Sequence, residues 1–221
     1  MNFQLLETIA LAVLPVVLAI TLHEAAHGYV ARQFGDSTAW MLGRVTLNPL
    51  KHIDPIGTVA VPLGILLLSG GGFLFGWAKP VPVNFGNLRH PKRDMLWVAA
   101  AGPAVNFLMA LAWAWIFGLA AGGGVFASAA LQLMSVIGVG INVALMVLNL
   151  LPILPLDGGR IAVSLLPHSL AIPFARTERF GFFIVILLLA TGILGTAMGP
   201  LVNAVTAFIE IITGVNLPGG L

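Results

Sequence analysis

The chain has 221 residues, of which 59% are hydrophobic and only 8% are charged. A soluble domain carries about 25% charged residues, so this composition predicts an integral membrane protein. The net charge of +2 is small, and the basic residues cluster near the ends of apolar segments, so no nucleic-acid partner is expected. Because the chain has no cysteine, any metal must be held by histidine and carboxylate.

The first predicted helix covers about residues 5–31 and contains the motif His23-Glu24-Ala-Ala-His27. On a helix, His23 and His27 share a face, so both imidazoles can converge on one metal ion. Glu24 directly follows the first histidine, where it can take a proton from a water at the metal. Residues 9–20 contain no polar side chain. The motif therefore predicts two metal ligands and a base at membrane depth.

Two segments after this helix are harder to interpret. Residues 37–48 are rich in β-formers and predict one or two short strands, either within a surface loop or as an edge that pairs with an extended substrate. Residues 56–76 are apolar but interrupted by prolines and glycines, and basic residues flank both sides. A full crossing would put one basic cluster on the wrong side of the membrane. A re-entrant segment is therefore favoured over a spanning helix.

Further spans are predicted at residues 95–121, 128–151 and 180–198, and a weaker apolar helix at 201–213 is a candidate for another. The predicted fold is an all-α polytopic membrane protein. It consists of one membrane-embedded domain over residues 1–221, with four to five transmembrane helices, a re-entrant segment and a short β element near the metal ligands.

A zinc site that catalyses hydrolysis normally has three protein ligands and a water, so a third ligand is expected elsewhere. His52, His90 and His168 are poor candidates because each lies in a stretch rich in proline or charge. Carboxylates in membrane segments are rare and costly, which makes each one a functional candidate. Asp157 stands out because it follows a predicted span, between prolines that interrupt the helix and two glycines that permit close backbone approach.

The topology provides a test of this pairing. Both motif histidines lie near the C-terminal end of the first span, and Asp157 lies at the C-terminal end of the span 128–151. They can meet only if the two spans run parallel, which requires an odd number of crossings between them. The span 95–121 is that one crossing if 56–76 turns back, whereas a full crossing by 56–76 would place Asp157 on the opposite face.

These motifs resemble those of the site-2 protease family of intramembrane zinc metalloproteases, over roughly residues 5 to 195. The resemblance rests on three sequence features in separate apolar segments: His23-Glu24-Ala-Ala-His27, Gly102-Pro103-x-x-Asn106, and Asn149-x-x-Pro152-x-x-Pro155-Leu-Asp157-Gly158. Neither the PDZ insertion nor the CBS domain of other members is recognisable in these residues, so the chain resembles a compact member.

The resemblance implies Zn²⁺ bound by His23, His27 and Asp157, with Glu24 as the general base. It implies that Asn149 is a catalytic residue that positions the substrate or stabilises the oxyanion. It also implies a transmembrane protein as substrate and an active site facing the cytoplasm, in a multi-pass protein of the bacterial plasma membrane. Two alternative functions are a membrane metal transporter and an inactive scaffold of the same fold. Too few acidic residues and histidines lie in the spans for a transport relay, and no expected ligand is missing.

Overall fold

The computed structural model describes residues 3–61, 64 and 76–218. Eight α-helices are described in full: α1 (Phe3–Gln33), α2 (Thr38–Met41), α3 (Pro91–Ala121), α4 (Ala129–Leu150), α5 (Asp157–Leu165), α6 (His168–Ala175), α7 (Glu178–Ala190) and α8 (Ile193–Thr213). Short turns of 3₁₀ or π geometry cover Pro49–Lys51, Pro55–Ala60 and Phe85–Asn87. No strand occurs among the described residues.

Four stretches of these helices are long and apolar enough to cross a bilayer: Leu6–Gln33, Pro91–Ala121, Ala129–Leu150 and Ile193–Thr213. The predicted class, an all-α polytopic membrane protein, is therefore confirmed. Helices α1, α3 and α4 occupy the positions predicted for the first three spans.

The C-terminal helices differ from the prediction of one span at 180–198 and another helix at 201–213. Helix α7 already ends at Ala190, and the chain turns at Gly192, whose φ of 74° is left-handed. Helix α8 then continues through Pro200 to Thr213. The predicted boundary was wrong because membrane helices tolerate an internal proline, whereas the left-handed glycine ends the preceding helix.

The predicted strands within residues 37–48 are also wrong. The Asp36 carboxylate accepts hydrogen bonds from the Thr38 backbone N–H at 3.1 Å and from the Thr38 hydroxyl at 2.5 Å. These hydrogen bonds turn the chain after Asp36, and the short helix α2 begins at Thr38. The Arg32 guanidinium lies 3.6 Å from the centre of the Trp40 ring and holds α2 against the end of α1. The hydrogen bonds to Asp36 and this cation–π contact override the β propensity of the segment.

The predicted re-entrant segment 56–76 lies largely outside the described residues, which omit 62–63 and 65–75. Its described flanks contact each other. The Trp77 N–H donates to the Gly57 carbonyl at 3.0 Å, and the Thr58 hydroxyl donates to the Trp77 carbonyl at 2.8 Å. The two flanks therefore lie side by side. The re-entrant segment itself stays a prediction.

Helices α1 and α3 pack antiparallel. His23 contacts Asn106, while His27, one turn further along α1, contacts Val98, two turns earlier on α3. The contacts move in opposite directions along the two helices. The C-terminal end of α1 thus lies beside the N-terminal end of α3.

Helices α3 and α4 also pack antiparallel. The Asn106 amide contacts Asn142, while Ala120, further along α3, accepts a hydrogen bond from Gln132, earlier on α4. Helix α4 therefore runs parallel to α1, and the C-terminal ends of both helices lie at one end of the bundle. This is the arrangement that the sequence required for Asp157 to reach the two histidines.

Small and branched apolar residues fill the interior between α3, α4 and α8. Trp113 of α3 lies directly over Gly138 of α4, where a Cβ atom would collide with the indole ring. This close packing of small against large residues is typical of membrane helices. The buried cluster comprises Ala110, Leu111, Trp113, Ala114, Val139, Val143, Val147, Ile209 and Leu217.

Candidate metal centre

Three potential ligand atoms converge where the ends of α1 and α4 meet. The two Nε2 atoms of His23 and His27 are 3.1 Å apart. Oδ2 of Asp157 lies 3.3 Å from the first and 3.4 Å from the second. The three side chains are only 9%, 12% and 13% exposed. Among the described residues, this is the one group of three or more such side chains that could hold a metal ion.

The size of this triangle fits zinc. A tetrahedral zinc ion binds nitrogen and carboxylate oxygen at about 2.0–2.2 Å, which places neighbouring ligand atoms about 3.3–3.5 Å apart. The observed separations of 3.1, 3.3 and 3.4 Å are close to these values. Oδ2 of Asp157 is also buried and has no hydrogen-bond partner, a state that is costly for a carboxylate oxygen unless a cation satisfies it.

The outer nitrogen of each imidazole is bound by helix α3. Nδ1 of His27 lies 2.7 Å from the backbone carbonyl of Val98, and Nδ1 of His23 lies 2.5 Å from Oδ1 of Asn106. A carbonyl can only accept, so the His27 ring must carry its hydrogen on Nδ1. In the neutral ring, Nε2 then presents a lone pair to the centre of the group, as a metal ligand requires.

Asp157 is held in place by the turn between α4 and α5. A Cβ atom on the next residue, Gly158, would collide with the carbonyls of Leu150 and Leu151, so the predicted close backbone approach is confirmed. An aspartate carboxyl is ordinarily ionised at neutral pH, so Asp157 offers the charged oxygen that a cation binds.

Gly102 of α3 forms the floor of the site. A Cβ atom at this position would lie 2.5 Å from Cε1 of His23 and 2.5 Å from Nε2 of His27. Real Cβ atoms do not approach other atoms this closely. The absence of a side chain at Gly102 is therefore what allows α3 to pack against the two imidazoles.

Glu24 lies on the same turn of α1 and contacts a loop that follows the undescribed segment. Its Oε2 accepts a hydrogen bond from the Val81 backbone N–H at 2.7 Å. The Arg44 guanidinium holds this loop by donating hydrogen bonds to the backbone carbonyls of Lys79 and Pro80, at 2.9 and 3.2 Å. Pro80 and Pro82 have no N–H, so within residues 80–82 only Val81 has a backbone donor. The loop thereby fixes the orientation of the Glu24 carboxylate.

The side-chain amide of Asn149 contacts its own helix, where Nδ2 donates to the Leu145 carbonyl at 3.0 Å. The other three histidines are not part of the ligand group. His52 contacts the Thr46 carbonyl at 3.0 Å, His90 lies 3.8 Å from Asp94, and His168 begins α6.

Sequence reasoning missed the contacts that Asn106, Gly102 and Val81 make with the motif. It used Asn106 only as part of a motif that carries the family resemblance. A buried amide in a membrane span was a signal for a polar partner, but the identity of that partner depends on tertiary structure. For Val81 no sequence signal exists, because it contributes only a backbone N–H.

Comparisons with known proteins agree with this geometry. The model of peptidase family M50 matches residues 11–192. "Putative zinc metalloprotease YwhC" of Bacillus subtilis is 36% identical over 197 residues, covering 87% of this chain and 85% of the relative. "Putative zinc metalloprotease Rip2" of Mycolicibacterium smegmatis is 33% identical over 181 residues, covering 79% of this chain and 64% of the relative. No solved structure matches significantly. The cofactor of this zinc metalloprotease family fits the ligand group described above, and the chain belongs to peptidase family M50.

Proposed function

We propose that this protein is an intramembrane zinc endopeptidase that hydrolyses peptide bonds within or near the transmembrane segments of membrane proteins, in regulated intramembrane proteolysis. His23, His27 and Asp157 hold the zinc ion, and Glu24 is the general base. The observation that carries the proposal is the convergence of three buried ligand atoms with an adjacent carboxylate, on a helix long enough to cross the membrane.

Zinc bound at this site supplies Lewis acidity, which polarises a peptide carbonyl and makes water nucleophilic near neutral pH. Glu24 accepts a proton from the attacking water as the new C–O bond forms. The C–N bond then breaks, and Glu24 transfers that proton to the leaving nitrogen. The hydrogen bond from Val81 orients the carboxylate during both transfers without consuming its second oxygen.

Asn149 is proposed to position the substrate or to stabilise the oxyanion. It lies at the C-terminal end of α4, eight residues before Asp157. Its side-chain N–H now donates to Leu145. The proposed role requires the amide to rotate away from its own helix and to donate to the substrate oxygen instead.

The distribution of charge supports a cytoplasmic active site. All ten lysines and arginines lie within residues 32–93 and 160–179, which cover the C-terminal end of α1, the N-terminal end of α3, most of α5, all of α6 and the start of α7. The loops next to the metal ligands are therefore the basic ones. Because Lys and Arg in short loops favour the cytoplasmic side, we place the site at the cytoplasmic face of a bacterial plasma membrane.

The test is cleavage of a transmembrane peptide by the purified protein in liposomes, with zinc content measured on the same samples. Wild type should bind one zinc and cleave. Glu24→Gln should retain zinc and lose at least about 100-fold in rate, because general base catalysis contributes about 10²–10⁴-fold. Glu7→Gln is the matched control, since Glu7 is an exposed glutamate of the same helix, and it should cleave normally.

The same liposomes separate the alternatives. Normal cleavage by Glu24→Gln would refute the assignment of the base. Zinc flux without cleavage would indicate a transporter, and zinc binding with neither activity would indicate an inactive scaffold.

A further inference from the structure

Two asparagines are fully buried in the middle of the helix bundle. Asn106 of α3 and Asn142 of α4 are both 0% exposed, and both lie in segments apolar enough to span the membrane. A polar side chain at such a position is costly and usually functional. Their side-chain amides are 2.8 Å apart and form a chain of hydrogen bonds that ends at the His23 ring.

The direction of this chain of hydrogen bonds is fixed at Asn142, the end away from His23. The Asn142 amide lies 2.8 Å from the backbone carbonyl of Gly138. A carbonyl only accepts, so Asn142 must present its Nδ2–H to Gly138. Its Oδ1 therefore faces Asn106, which must respond with its own Nδ2–H. The Ala19 carbonyl, 3.4 Å from Nδ2 of Asn106, favours the same orientation.

This direction determines the tautomer of His23. With Nδ2 of Asn106 committed to Asn142, the atom that faces the ring is Oδ1, at 2.5 Å from Nδ1. Oδ1 only accepts, so the hydrogen of the neutral imidazole must sit on Nδ1. Nε2 then carries the lone pair that faces His27 and Asp157. The opposite amide orientation would favour a hydrogen on Nε2, which would block binding of the metal.

We infer that Asn106 and Asn142 form a positioning relay, in which the Gly138 carbonyl fixes the His23 ring, through two side-chain amides, in the tautomer that binds zinc. The inference rests on the proposed metal site. Supporting residues that fix a ligand histidine typically contribute about 10–100-fold to metal affinity. His27 needs no relay because the Val98 carbonyl contacts its ring directly.

The test is zinc affinity, measured by competition with a chelator on the detergent-purified full chain. Asn106→Leu removes the acceptor and should weaken zinc binding by about 10–100-fold. Asn106→Asp keeps an acceptor at His23 whether or not the new side chain is ionised, so its affinity should stay within a few-fold of wild type. Asn142→Leu leaves Asn106 free to rotate and should fall between the two. Ser135→Ala, which removes a buried hydroxyl of the same helix α4, should change nothing.

A role in helix packing alone predicts the reverse order, because Leu suits an apolar interior better than Asp. Zinc binding by Asn106→Leu that equals or exceeds that of Asn106→Asp would therefore overturn the relay. A second readout is ¹⁵N NMR of the His23 ring, assigned by its loss in His23→Ala. Wild type without metal should carry hydrogen on Nδ1, and Asn106→Leu should populate the other tautomer. An unchanged tautomer in that variant would also refute the relay, whereas absence of zinc from wild type would refute the metal site itself.

Discussion

The core formed by α1, α3 and α4 and the C-terminal pair α7–α8 are both built from mainly apolar residues, but they differ in what they bury. Within the most apolar part of each helix, 33% of the residues of α3 and α4 are buried, against 6% for α8. The buried residues of α7 and α8 are Gly181, Val185, Leu194 and Ile209. The buried polar residues of the core helices are Thr21, His23, Asp94, Asn106, Ser135 and Asn142.

The difference shows where a membrane helix can keep polar groups. Each fully buried amide or imidazole of the core has a partner on a neighbouring helix, because close packing brings donors and acceptors within reach. Helix α8 has few such neighbours and is apolar over most of its surface. We therefore expect substitutions near the metal ligands to be costly and equivalent ones in α8 to have little effect.

The largest effect is expected for Asp157→Ala, which removes one of three proposed ligands. Zinc affinity should fall by more than about 100-fold, since the loss of a ligand should exceed the loss of a residue that only supports one. The measurement is zinc content after dialysis, together with chelator competition. Glu178→Ala is the control, because this nearby acid pairs with Arg160 at 2.7 Å and not with the histidines. Full zinc content in Asp157→Ala would contradict the ligand set.

The two regions can be compared directly by making the same substitution, glycine to alanine, in each of them. Gly102→Ala would place a Cβ atom 2.5 Å from both imidazoles, so we expect zinc affinity to fall by about 10-fold or more and stability to fall by about 1–3 kcal/mol from overpacking. Gly195→Ala in α8 would meet no atom within 4 Å and should be neutral or stabilising by up to about 1 kcal/mol. Zinc titration and thermal unfolding in detergent check both. Equal effects would refute the contrast between the two regions.

A smaller effect is expected at the border of the core, where buried Asp36 joins the end of α1 to the loop at Asn84. Burial tends to raise the pKa of this carboxyl, but hydrogen bonds from Thr38, Asn84 and Asn87 outweigh it and hold the pKa below its usual 3.8. The resulting stabilisation is complete above the unfolded-state pKa and is lost as the pH falls through the folded-state pKa. Asp36→Asn should cost about 1–3 kcal/mol at neutral pH.

Unfolding of detergent-purified protein between pH 7 and pH 3 measures this effect. Wild type should lose stability at the acid end of the range, and Asp36→Asn should lose less of it there. Glu7→Gln, at an exposed position, should follow wild type throughout. Parallel pH profiles for wild type and Asp36→Asn would mean that the carboxylate does not contribute in this way.

The sequence was sufficient to predict the class of fold and the group that could bind metal. His23 and His27 are spaced by one helical turn. Asp157 was distinctive because carboxylates in membrane segments are scarce and because it follows a span between prolines and glycines. The parallel arrangement of α1 and α4 followed from counting crossings. Each of these inferences uses periodicity, rarity or topology, which are properties that a sequence displays directly.

The sequence was not sufficient to predict features that depend on a tertiary contact. The strands predicted at 37–48 were displaced by bonds to Asp36, a residue outside that segment. The partner of Asn106 is a ring 83 positions away along the chain. Gly102 is important because it has no Cβ atom, which would collide with the His23 and His27 side chains of helix α1. In each case the local sequence does not identify the residue that is contacted.

The separation of the ligands along the chain also has a consequence for biosynthesis. Asp157 follows His27 by 130 residues, which a ribosome takes roughly 7 to 26 s to add at about 5–20 residues per second. During that interval α1 can enter the membrane with two histidines and a glutamate but without the third proposed ligand. On this ligand set, a nascent chain cannot complete its metal site until α3 and α4 have been inserted and α5 has docked. Under the proposed function, the order of synthesis would therefore delay proteolytic activity until the membrane domain has assembled.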